Sequence, residues 1–526
     1  MQRCFAEVEG RRLHYRRAGS GPPVVMLHGS PGNSEMLEHE MAVAADRFTV
    51  YALDTPGFGG SDPLPGDHLT VGDLARATAA GMHAIGLPPC PVYGTHTGAL
   101  IALQLGADLP DKVTGLVLEG VPIFTDAEIE SLFVGYFEPL LVDPLGGHLT
   151  STWIRFRDQH TWFPWLSRDV TRLNPVDRPT PEEIHHWVMM FYRSCRTYRA
   201  AYKAACFHGY RAREAAERLT VPAIYMASAE DMLFPHLDRL PAMKPGQRIE
   251  RLPYDAAAKY RAIADYLGAV PGASGSPSAP SLKPVGNSPA VQFIRSGGQD
   301  IFIRCHGSPD APALVLLHDA PGSGLALEPL ARSLAAMHHV IVPDLPGCGE
   351  SGLGDGDALD AGAKAVTDIA EALGLDRFTI AATGCGCAVA AKLADHPRVE
   401  RLILDSPPSP DPEIAGSIAP DLPLTPEGSH WIKAWLMVRD GQIYSPWFDG
   451  SVAAQRSTQG KFDGEWLHDQ TFEIMKARDT YHRLPRAAWA FDTRTALDGS
   501  AAPFTITADG NLAAAIRSSL DLKDRP

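Results

Sequence analysis

VVMLHGSPGNS at residues 24–34 and LVLLHDAPGSG at residues 314–324 are two versions of one motif. An apolar run ends in His, a short turn follows, and Pro-Gly comes next. A second pair keeps the same offset of 290: FTVYALDTPGFGGS at 48–61 against HHVIVPDLPGCGES at 338–351. Further along, WIRFRDQHTWFPW (153–165) matches WIKAWLMVRDGQIYSPW (431–447) with Arg-Asp and Pro-Trp in register. His185 and Tyr198 then have counterparts in His468 and Tyr481. Four blocks in the same order indicate an internal duplication, and a repeat of this length is two domains rather than a solenoid.

Each half alternates short β-branched runs (Val24–Leu27, Thr49–Leu53, Val113–Leu118) with Ala- and Leu-rich helical stretches such as 71–86 and 99–109. That alternation predicts an α/β fold with a doubly wound parallel sheet and helices on both faces. A polar-aromatic, mainly helical segment interrupts it at about 123–212 and again at about 408–494. It is expected to cap the C-terminal edge of the sheet, where such folds bind ligands. The boundaries expected are a first domain at 1–267, a Gly/Pro/Ser-rich linker at 268–290 and a second domain at 291–526, the second truncated at its C-terminal end.

The composition excludes several roles. A net charge of −15 with no long basic run disfavours nucleic acid and anionic membrane surfaces as partners. No apolar run approaches the roughly 20 residues that span a bilayer, and the N-terminal residues lack a signal-peptide core. The scattered cysteines form no CxxC pair, so neither a disulfide framework nor a zinc site is expected. The expectation is a cytoplasmic protein with a small-molecule substrate and neither metal nor organic cofactor. Whether the halves pack on each other or on a second copy stays open.

The runs LHGSPG, DTPGFGGSD, YGTHTGALIAL (93–103) and VPAIYMASAEDMLFP (221–235) resemble the α/β-hydrolase superfamily, nearest its capped dehalogenases, epoxide hydrolases and C–C hydrolases. The resemblance covers most of both halves and implies two tandem capped units with degenerate catalytic triads. In this family a G-x-S-x-G elbow lifts a nucleophile toward the pocket. Here the elbow is Gly94-Thr95-His96-Thr97-Gly98, which puts His96 at the nucleophile position. An imidazole is a poor acyl-enzyme nucleophile but a good general base near neutral pH. His96 is therefore either such a base or a residue left on an elbow kept for folding. The resemblance implies an oxyanion hole from the backbone N–H groups of Ser30 and Thr97, and a triad acid at Asp231 or, by the dehalogenase placement, at Glu119. The family histidine after the last strand has no counterpart, because the strand 248–252 runs into PYDAAAKYRAIADYLGA.

In the second half the resemblance puts the elbow at Thr383-Gly384-Cys385-Gly386-Cys387, with Cys385 at the nucleophile position, and His-Gly has become His318-Asp319. On the cap, Trp165, His185 and Tyr198 are candidate substrate contacts. The Arg157-Asp158 step reads as a structural ion pair. Three functions follow: an enzyme without a serine nucleophile, using His96 for hydrolysis, C–C cleavage or elimination; a tandem pseudohydrolase that binds a ligand or a protein partner; or a thiol hydrolase dependent on Cys385.

Overall fold

The computed structural model describes residues 1–272, 289–457, 460–508 and 510–520, so most of the expected linker lies outside the described residues. The chain forms two compact units. One comprises Met1–Leu141 and Ser151–Gly286; the other comprises Val142–Thr150 and Asn287–Pro526. Val142–Thr150 thus departs from the boundary drawn on the repeat. Within the second unit the imidazole of His148 hydrogen-bonds that of His468 at 3.1 Å.

The first unit is built on eight strands: β1 (Gln2–Val8), β2 (Arg11–Ala18), β3 (Pro23–Leu27), β4 (Thr49–Leu53), β5 (Cys90–Thr95), β6 (Val113–Glu119), β7 (Ala223–Ser228) and β8 (Gln247–Leu252). Their order is β1-β2-β4-β3-β5-β6-β7-β8. The β1 and β2 strands are antiparallel at one edge, and the remainder run parallel. Every residue of β3, β4, β5 and β7 is buried, the signature of a sheet covered on both faces. One face packs Val24, Met26, Val50 and Ala52 against α1 (Glu38–Ala44) and the C-terminal helix of this unit, Ala256–Ala269. The other carries α2 (Val71–Ala84) and α3 (Thr97–Asp108). Between β6 and β7 the chain leaves the sheet for α4 (Asp126–Leu132), α5 (Gly147–Thr161), α6 (Pro181–Ser194), α7 (Arg199–Cys206) and α8 (Arg211–Arg218), and the closing helix is α9 (Ala256–Ala269). Thr180 and Glu183 close a capping box at the start of α6, with Pro181 in its first turn.

The second unit repeats the plan with β9 (Ala290–Ser296), β10 (Gln299–His306), β11 (Ala313–Leu317), β12 (His339–Pro343), β13 (Phe378–Thr383), β14 (Val399–Asp405) and β15 (Phe504–Thr507). Their order, β9-β10-β12-β11-β13-β14-β15, is that of β1 to β7; among the described residues no strand matches β8.

The repeated motif letters build the scaffold. Asp54, at the end of β4, accepts from the Ser34 and Gly60 amides, both at 2.8 Å, and so ties the turn after β3 to the loop after β4. Asp344 does the same with Gly324 and Glu350 at 2.9 and 3.0 Å. His28 is buried, its Nε2 accepting from the Thr55 amide at 3.0 Å, and burial holds it neutral by lowering its pKa. His318 repeats that bond with Leu345 at 2.9 Å.

Candidate active site

The turn from β5 into α3 is set by two glycines. A Cβ on Gly94 would lie 2.2 Å from the Gly98 carbonyl oxygen, and one on Gly98 would lie 2.1 Å from that of Leu27. Between them His96 adopts φ 49 and ψ −109, a conformation costing a non-glycine residue about 1–3 kcal/mol. Its amide donates to the Glu119 carbonyl at 2.9 Å, which anchors the turn to β6.

That geometry projects the imidazole toward the turn after β7. His96 Nε2 lies 2.9 Å from Asp231 Oδ2. The other carboxylate oxygen of Asp231 accepts from the Leu233 amide at 2.8 Å, so the acid is held from two sides. Desolvation opposes the charged forms of both partners, but the reciprocal charge and the hydrogen bond outweigh it. The pKa of His96 is raised and that of Asp231 lowered. The His96 side chain is 41% exposed, whereas that of Asp231 is only 10% exposed. With Nε2 facing the carboxylate, the neutral ring carries its proton there and keeps its lone pair on Nδ1. Gly120 makes this approach feasible: at φ +60, a Cβ there would lie 2.5 Å from His96 Cδ2 and 2.7 Å from Asp231 Oδ2.

Of the two carboxylates left open by the sequence, the structure brings Asp231 to His96 and Glu119 elsewhere. Glu119 is buried, accepts from the Tyr93 hydroxyl and pairs with Lys259 Nζ at 3.1 Å. Lys259 comes from α9, the helix that follows β8 where the family places its histidine. Glu40 faces the same group; burial, reinforced by repulsion from Glu119, pushes its carboxyl up to about 7. Glu40 and Lys259 escaped the sequence reading because they belong to no family motif, and Tyr93 because it only opens the elbow run. Thr97 is the first residue of α3, so its N–H has no intrahelical acceptor. Ser30 lies in the turn after β3, close to Gly29, whose added Cβ would be 3.5 Å from His96 Cβ.

The second unit differs at this point. Cys385 is not its elbow residue. The strand register aligns Thr383 with Asp405 as it aligns Thr95 with Glu119. The next residue, Gly384, has φ 52 and donates to the Asp405 carbonyl at 3.1 Å, as His96 does to Glu119. Gly384 therefore holds the place of His96, and Cys385 that of Thr97. The Cys385 amide donates to Asp319 Oδ1 at 2.8 Å, so the oxyanion position is filled by a carboxylate. The thiol itself is buried, and desolvation together with the Asp319 charge raises its pKa well above the usual range. Both effects disfavour the thiolate a cysteine hydrolase needs.

The α4–α8 segment meets the sheet edge next to the elbow. A Cβ added to Gly32 would come within 3.5 Å of Trp187, and the Tyr198 ring packs edge-on to Phe58 at 6.4 Å. Trp187 was not singled out by the repeat. Tyr198 is fully buried, Trp165 lies under the Arg155 guanidinium, and His185 is half-buried on α6. The Arg157-Asp158 ion pair is not what forms, since Asp158 pairs with Arg168 at 3.3 Å. Among the described residues no cluster of His, Cys, Asp and Glu could hold a metal ion, and no helix is long and apolar enough to cross a membrane.

Two sheets of one topology, each with an elbow between its fifth strand and the next helix, define a tandem hydrolase-like architecture. The model of the alpha/beta hydrolase fold family matches residues 22–254 and 312–444, and the chain belongs to that family. Among curated relatives, a dihydrolipoyllysine-residue acetyltransferase component of the acetoin cleaving system from Cupriavidus necator is 36% identical over 125 residues, 23% of this chain and 33% of that protein. Haloalkane dehalogenase 2 of Mycobacterium tuberculosis is 31% identical over 116 residues, 22% of this chain and 40% of that protein. The matched stretches thus span well under half of these relatives. Epoxide hydrolase A from Mycobacterium thermoresistibile, a solved structure, aligns with 52% of this chain and 99% of its own at 21% identity and a TM-score of 0.43.

Proposed function

We propose that the first unit is an enzyme acting on a small organic substrate, with His96 as general base and acid and no covalent acyl-enzyme. The observation that carries this reading is the strained elbow histidine held 2.9 Å from Asp231. A fold that needed only the turn would place glycine there, as the second unit does with Gly384. In the mechanism, Nδ1 takes a proton from water or from a substrate carbon acid, while Asp231 stabilises the imidazolium through Nε2–H. The Thr97 and Ser30 amides supply the donors to a developing oxyanion in this reading. The imidazolium then returns its proton to the leaving group. Hydrolysis, C–C cleavage and elimination all fit these steps. The second unit, with no side chain at its elbow and Asp319 over the adjacent amide, is assigned no chemistry.

A panel of esters, lactones and β-diketones assayed on wild type, His96→Ala and Asp231→Asn tests the proposal. The expected loss for His96→Ala is about 10²–10⁴-fold in kcat/KM, the usual contribution of a general base. Activity surviving His96→Ala would remove this residue from the mechanism. No turnover of the panel by wild type, with saturable ligand binding, would establish a binding protein instead.

A further inference from the structure

The helical segment of the first unit contains a cation that is stacked on aromatic rings and lacks hydrogen-bond acceptors for two of its nitrogens. Arg155 on α5 sits over three rings, its Cζ 4.7 Å from the Phe191 centroid, 5.1 Å from Trp165 and 5.6 Å from Phe156. Its Nε and Nη2 are buried and meet no acceptor among the described residues. The same holds for the indole Nε1–H of Trp165 and the hydroxyl of Tyr198. Buried donors are nearly always paired, and an uncompensated buried charge is costly, so such a grouping needs a reason.

The duplicate supplies the comparison. Trp447, the counterpart of Trp165, donates to the Ile418 carbonyl at 2.8 Å, and Tyr481, the counterpart of Tyr198, donates to that of Pro420. Met437 stands where Arg155 does. The second unit thus keeps the Trp and Tyr with both donors satisfied, and has Val438 and Ile474 where the first has Phe156 and Phe191. The first unit has released both donors and added a guanidinium. Nε and Nη2 lie along one edge of the guanidinium, whose spacing matches the two oxygens of a carboxylate.

We propose that Arg155, with Trp165 and Tyr198, binds the carboxylate of the substrate, so that the first unit acts on organic acids with an apolar or aromatic body. This rests on the His96 reading for the reaction but not for the binding. Phe156 stacks on Trp187, which faces Gly32, so the anchor lies on the side of the segment that meets the elbow loops.

The test is titration of benzoate and of methyl benzoate, its uncharged analogue, into wild type, Arg155→Met, Tyr198→Phe and His96→Ala, followed by calorimetry. Benzoate is expected to bind wild type and His96→Ala alike, and at least about tenfold more weakly to Arg155→Met, the loss of a charge-assisted hydrogen bond. Tyr198→Phe keeps the ring and should weaken benzoate several-fold, which preserves the test should Arg155→Met fail to fold. Methyl benzoate should bind every variant weakly. Equal affinity of wild type for the two probes, unchanged benzoate affinity in both binding variants, or no saturable benzoate binding overturns the proposal. If that happens while His96→Ala still abolishes turnover, the carboxylate assignment falls and the base survives.

Discussion

Replacing Gly120 with alanine should break the contact on which the proposed chemistry depends, and the structure gives the size of the effect. The new methyl would lie 2.5 Å from His96 Cδ2, 2.7 Å from Asp231 Oδ2 and 2.9 Å from His96 Nε2. Ordinary carbon contacts begin near 3.5 Å, so the ring and the carboxylate must each give way, by about 1 Å in total. A 2.9 Å hydrogen bond stretched by that amount is no longer one. The left-handed backbone adds about 1 kcal/mol for any residue with a Cβ, and the crowding adds about 1–3 kcal/mol. The total of about 2–4 kcal/mol corresponds to a drop of about 4–16 °C in the melting temperature of this unit. Gly66→Ala is the control, because Gly66 also has positive φ but a Cβ there meets nothing within 4 Å. Calorimetry of both variants isolates the crowding, and turnover reports the loss of the His96–Asp231 contact. If Gly120→Ala melts with Gly66→Ala and keeps full activity, His96 and Asp231 do not approach each other as described.

Two further outcomes follow from the buried groups. Glu40 is raised from an ordinary 4.5 to about 7, so between those values the native state holds a proton that the unfolded chain has released. Stability of the first unit should therefore fall by up to about 3 kcal/mol as pH rises through this window and level off above it. Urea midpoints at pH 5 and pH 8 should show this slope reduced in Glu40→Gln; identical slopes would refute it. Cys385, buried and with its thiol pKa raised, should resist iodoacetamide in the native protein and react only after unfolding, as read by peptide mass mapping. Rapid native alkylation would contradict this.

The duplication and the hydrolase-like sheet were legible because the motif letters are structural necessities. Asp54, His28 and the elbow glycines are fixed by hydrogen bonds and clashes that leave few alternatives. The elbow of the second unit was not legible, since glycines stand on both sides of Cys385, and the strand register, the Asp405 hydrogen bond and the positive φ are what identify Gly384. Nor was the choice between Asp231 and Glu119, which depends on which carboxylate the His96 ring turns toward. Arg155 escaped for another reason. The two halves differ there, one having arginine and the other methionine.

The account stands on the His96–Asp231 contact, and nitrogen NMR of the imidazole measures it directly. The expected result is a neutral ring protonated at Nε2, titrating above the 6.5 of an ordinary histidine, with the midpoint falling in Asp231→Asn. A ring protonated at Nδ1, or a midpoint that Asp231→Asn leaves in place, would contradict it.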